Sequence, residues 1–83
     1  MSFHLVFTKN AFNDIQKLDR VAQKRLAVKL QHFQEKPIFY AKKLTSPILG
    51  QYRWRVGNYR IIFDLHGKDI IILKVGHRKE IYR

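Results

Sequence analysis

Three features of the 83-residue chain predict an α+β fold of the order β-α-α-β-β-β. Two stretches near the start space their apolar residues as helices do, three near the end alternate as strands do, and glycine-bearing turn signals separate the last three. The expected architecture is a helical hairpin packed on one face of a small, largely antiparallel four-stranded sheet, forming one domain over residues 1–83.

The first strand is expected from Phe3 to Phe7, where Phe3, Leu5 and Phe7 alternate with His4 and Val6. Thr8 can cap a short helix from about Asn10 to Leu18, carried by Ala11, Phe12, Ile15 and Leu18. Asp19 can cap a second helix. Its stripe of Ala22, Leu26, Leu30 and Phe33 turns Lys24, Arg25, Lys29 and Gln31 outward, and Pro37 bounds it. Residues 37–51 hold two prolines, a glycine and no sustained period, so they read as a loop or irregular helical turn. Strands follow at Tyr52 to Val56, Tyr59 to Leu65 and Asp69 to Val75. The first two are joined by Gly57-Asn58, where glycine accepts the positive φ of a two-residue hairpin, and the last two by His66-Gly67-Lys68.

Charge is the strongest compositional signal. The chain carries 17 Lys+Arg against 6 Asp+Glu, a formal net charge of +11, and makes its compact state repel itself. The excess is spread through both halves and is woven into the periodic segments, so an acidic partner is expected for the folded domain. With 46% hydrophobic residues the chain is globular, and without cysteine it has neither a disulfide framework nor a thiolate metal site. Its longest aliphatic run, Ile70-Ile71-Ile72-Leu73, is too short to span a bilayer, and the start does not read as a secretory signal; a cytoplasmic protein is expected.

Strand alternation turns Arg53 and Arg55 to one face, away from Tyr52, Trp54 and Val56. With Arg60 and Arg78 on the following strands, the sheet offers a basic face suited to a polyanion. Tyr52, Trp54 and Tyr59 read as packing residues rather than base-stacking platforms. His4, His32 and His66 lie far apart in sequence with few acidic neighbours. No metal-ligand spacing, glycine-rich phosphate loop or Ser-His-Asp set is visible, and no cofactor is expected.

The run Gln51-Tyr52-Arg53-Trp54-Arg55-Val56-Gly57-Asn58-Tyr59-Arg60-Ile61-Ile62-Phe63, with Val75-Gly76-His77-Arg78-Lys79-Glu80-Ile81-Tyr82, resembles the RelE/ParE superfamily of toxins. The resemblance implies one of two activities on a shared fold. RelE-type members are endoribonucleases that cut mRNA in the ribosomal A site and are neutralised by an acidic antitoxin in a hetero-oligomer. ParE-type members act on DNA gyrase instead. Carried over, the RelE cleft residues fall on Arg53, Arg55, Arg60, Arg78 and Tyr82. Co-occurrence of that set favours the nuclease.

Attack of an RNA 2′-hydroxyl on the adjacent phosphorus needs a base, cations for the charge gathering on the phosphoryl oxygens, and an acid for the leaving 5′ oxygen. Arginine suits the middle task, since its guanidinium offers paired donors and stays protonated. His77, beside Arg78, is the leading candidate for base or acid, because histidine is the side chain that ordinarily titrates nearest neutrality. Tyr82 can stack on a base or donate to the leaving group, as the family tyrosine implies. Arg20, Lys24, Arg25 and Lys29 form a basic helix surface, ordinarily a solvated face, that is a further candidate for ribosomal RNA or the antitoxin.

Overall fold

The computed structural model describes residues 3–46 and 48–81. Its elements are β1 (His4–Phe7), α1 (Lys9–Gln16), α2 (Arg20–Glu35), β2 (Lys42–Lys43), β3 (Tyr52–Val56), β4 (Tyr59–His66) and β5 (Asp69–His77). They form two helices on one mixed sheet of order β1-β5-β4-β3-β2. The fold class is the expected one, with a correction in strand number. There are five strands, because Lys42 and Lys43, inside the segment expected to be a loop, pair antiparallel with Arg53 and Tyr52. A two-residue strand has no period to read. β1 lies parallel to β5 and the other pairings are antiparallel.

Both helix starts are fixed by the expected caps. The Thr8 hydroxyl accepts from the Ala11 N–H at 3.1 Å and donates to the Ile72 carbonyl at 3.0 Å, tying α1 to β5 where β1 ends. Asp19 Oδ1 accepts from the Ala22 N–H at 2.7 Å. Beyond Ile72, β5 has lost its parallel neighbour, and α1 side chains take over its edge. Asn10 Nδ2 donates to the Leu73 carbonyl at 3.2 Å, and Asp14 Oδ2 accepts from the Val75 N–H at 3.0 Å.

Ala22, Leu26, Leu30 and Phe33 of α2 are buried as their spacing implies, the last three in one cluster with Trp54, Val56, Ile61, Phe63, Ile70, Ile72 and Val75 of the sheet. Trp54 is wholly buried. Its ring centroid lies 5.0 Å from Phe33 and 4.1 Å from Phe63, and its indole N–H donates to the Pro37 carbonyl at 2.9 Å, so no polar atom is stranded. Pro37 and Gly50 of the 37–51 segment thus have definite jobs. Pro37 ends α2 and accepts the tryptophan, while Gly50, at φ +150°, lies so close to Ile62 that a Cβ would come within 2.7 Å of Ile62 Cγ2.

No helix among the described residues is long and apolar enough to cross a membrane.

Candidate functional site

On β3, Trp54 and Val56 are buried toward the helices, which fixes Arg53 and Arg55 on the opposite face. The β3–β4 register sets Arg53 beside Ile62 and Arg55 directly opposite Arg60. Lys42 of β2 stands opposite Arg53 and therefore shares its face. Two rows of cations result, Lys42 with Arg53 and Arg55 with Arg60, on adjacent strands about 4.8 Å apart.

The face is framed on both sides. Gly50 covers Ile62 and Leu73, while the turn after β5 brings Ile81 over Gly76, the cross-strand partner of Arg60. Arg60 is only 8% exposed. Its Nη1 donates to the carbonyls of Gly57 and Tyr59 at 3.0 and 3.1 Å, which hydrogen-bonds a buried charge and holds the guanidinium near the β3–β4 turn. Arg78 reaches the same turn through its backbone, its N–H donating to the Asn58 carbonyl at 2.7 Å, and its side chain is exposed. Arg53, Arg55, Arg60 and Arg78 are thus organised around one hairpin.

His77 is not. It pairs with Tyr59, which in turn stands opposite the buried Val56, so both rings lie on the helix side of the sheet. The rings meet edge-to-face at 6.0 Å, and His77 Nδ1 accepts from the Lys79 N–H at 3.2 Å. The cause is a β-bulge. Leu73 is an extra residue against the Ile62–Phe63 step, which reverses the alternation of β5 and returns Val75 and His77 to the side that Ile70 and Ile72 occupy. Tyr82 lies outside the described residues.

Arg25, expected on an outward helix face, has its guanidinium against Gly57. A Cβ on that glycine, whose φ is +57°, would lie 3.2 Å from Arg25 Nη1 and Nη2. Arg25 therefore extends the charge around the hairpin tip from the helix side. Arg20, Lys24 and Lys29 remain exposed on α2, between Val21 and Val28, which are 77% and 66% exposed. Lys42 is the residue that sequence reasoning missed; its only signal was a Lys-Lys pair in an aperiodic segment.

Half of the six carboxylates are engaged by backbone. Asp14, Asp19 and Asp64 each accept a backbone N–H, the last from Gln51 at 2.8 Å at the end of the arginine face. Among the described side chains an ion pair forms between His4 and Asp69, 3.7 Å apart at the β1 edge. No group of three or more His, Asp or Glu that could hold a metal ion occurs among the described residues.

A small two-layer α+β domain with a cationic sheet face and few acidic groups is the class of molecule that fold and site define. The family model for the ParE toxin of type II toxin-antitoxin systems (parDE) matches residues 5–82, and the chain belongs to the RelE/ParE superfamily of such toxins. It is 34% identical over 82 residues to toxin RelE3 of Methanocaldococcus jannaschii, covering 94% of this chain and 93% of that one. It is 28% identical over 86 residues to toxin RelG of Mycobacterium tuberculosis, covering 100% and 99%. The RelB-RelE antitoxin-toxin complex of Methanococcus jannaschii superposes with a TM-score of 0.73 at 31% identity, over 93% of this chain and 94% of that one. The toxin-antitoxin complex RelBE2 of Mycobacterium tuberculosis gives 0.84 at 23% identity, over 94% and 100%.

Proposed function

We propose that this toxin is of the RelE type: an endoribonuclease that cuts mRNA, acts in the ribosomal A site in the cytoplasm, and is held inactive by an acidic antitoxin in a hetero-oligomer. The observation that carries the reading is the β3–β4 register, which gathers Arg53, Arg55 and Arg60 on one face, with Arg78 anchored at the same turn. The RelE names of relatives at 34% and 28% identity support it.

In this reading the arginines hold the scissile phosphate and neutralise the charge that builds on it as the 2′-hydroxyl attacks. The products carry 2′,3′-cyclic phosphate and 5′-hydroxyl ends, and no metal ion takes part. Tyr82 is proposed as a proton donor or base platform. His77 can serve only if the turn after β5 rearranges on binding, because its ring lies across the sheet from the arginines. The antitoxin is expected to use α2, whose exposed Val21 and Val28 within Arg20, Lys24, Arg25 and Lys29 suit an acidic amphipathic segment.

The test is single-turnover cleavage of mRNA on programmed ribosomes. Arg78→Ala, at an exposed position, is expected to lower the rate on the order of 10² to 10³ if Arg78 acts as an oxyanion donor. Arg60→Ala is expected to do the same in protein shown by thermal unfolding to remain folded. Tyr82→Phe separates proton donation from stacking. Products ending in 5′-phosphate would exclude attack by the 2′-hydroxyl. The ParE name of the matching family favours a second reading, inhibition of DNA gyrase. Growth arrest with mRNA intact and gyrase supercoiling blocked would establish that reading in place of the first.

A further inference from the structure

Three of the grooves on the described surface differ in charge. The groove beside α1 contains Asp14 and Glu80, and the one at Gly50 and Tyr52 contains Asp64. The third, of about 320 Å³, runs between β2 and the segment after it, and no carboxylate lines it. Lys42, Lys43 and Arg53 supply its charge, and Thr45 and Ser46 its hydroxyls. Because Lys42 stands opposite Arg53, the groove continues the arginine face without a break. No hydrogen bond from the Lys42 ammonium or from either hydroxyl to a described residue is present, so these donors are uncommitted there.

We propose that this groove is a subsite for the RNA phosphate next to the one held by the arginines, with Lys42 as its cation and Thr45 and Ser46 as further donors. The inference rests on the RNA reading above and deepens it. A polynucleotide brings one charge per nucleotide on a continuous backbone, so a reader of several phosphates needs cation sites in sequence rather than one deep site. Lys42 and Arg53 are one strand spacing apart, and Arg55 lies a further ~6.6 Å along β3, two residues on. Lysine fits the flanking task, since it binds phosphate as a point charge, while the paired donors of arginine fit the central one.

The experiment pairs a protein change with a substrate change on programmed ribosomes. Phosphates flanking the cleavage point are replaced one at a time by uncharged methylphosphonates, and each mRNA is assayed with the wild type, Lys42→Ala and Lys42→Arg. At one flanking position the replacement is expected to raise the half-saturating toxin concentration roughly tenfold for the wild type. Lys42→Ala should do the same with normal mRNA, and the two together should add nothing further. The maximal single-turnover rate should change little, Lys42→Arg should recover most of the loss, and Lys42→Ala should flatten the salt dependence by about 0.7 in log–log slope. Lys9→Ala, an exposed lysine on α1, serves as the charge-matched control and should change none of these. Additive losses at every position overturn the subsite, as does a Lys42→Ala variant that loses only its neutralisation by antitoxin. A wild type that cleaves no mRNA overturns the RNA reading together with the subsite, whereas normal wild-type cleavage with additive losses overturns the subsite alone.

Discussion

Arg55 and Arg60 face each other across neighbouring strands, an arrangement of like charges that ordinarily destabilises a sheet by roughly 0.2–1 kcal/mol. An anion held between the two guanidiniums would offset that cost. Arg55→Thr, which keeps a residue favoured in strands and deletes the repulsion, is therefore expected to stabilise the isolated domain by up to about 1 kcal/mol, or roughly 4–8 °C in Tm. The same variant should lose mRNA cleavage. Thermal unfolding and cleavage measured on one preparation check both halves, and a variant less stable than the wild type contradicts the repulsion argument. Residue identities on β3 were readable because a period of two depends only on the local chain. That Arg25 rests on Gly57 was not, since the contact joins a helix to a turn 32 residues later.

At the scale of elements, legibility followed the length of the repeating pattern. The helix α2 spans sixteen residues and both helix caps are short-range, so caps and buried face came out as expected. β2 has two residues, and its place at the sheet edge depends on Arg53, eleven residues beyond Lys42. The side of the sheet that His77 occupies was hidden for a different reason. Strand alternation implies a fixed phase, and the bulge at Leu73 shifts that phase in the middle of β5. The parallel pairing of β1 with β5 joins the two ends of the chain and leaves no local trace. It also makes α1 responsible for the edge of β5 beyond Ile72. Asp14→Ala would leave the Val75 N–H without its acceptor and should cost about 1–3 kcal/mol. Asp14→Asn, which keeps a carbonyl acceptor, should recover most of that in denaturant unfolding. Equal losses for the two would show that the carboxylate charge, rather than its hydrogen bond, matters there.

The whole molecule carries +11 within a radius of gyration of 11.7 Å. The Debye length at 0.1 M salt is about 10 Å, so ordinary salt screens charges on opposite sides of the domain from one another but leaves those within one sheet face coupled. Two separable effects on stability are expected for the isolated toxin at pH 7. Raising sodium chloride from about 0.01 to 0.1 M, where the Debye length shortens from about 30 to 10 Å, should raise Tm gradually by relieving long-range repulsion. A short single-stranded RNA at constant ionic strength should raise it further by mass action, by about 2.7 kcal/mol at a hundred times its dissociation constant. A helix-rich acidic partner would use the same long-range attraction but bind through α2, so its stabilising effect should persist in Lys42→Ala and fall in Val28→Asp, while that of RNA should do the reverse. Differential scanning measurements on the two variants with each partner separate the surfaces. If both variants lose both effects together, the charge acts as one undivided field, and the assignment of RNA to the sheet face and of the partner to α2 is wrong.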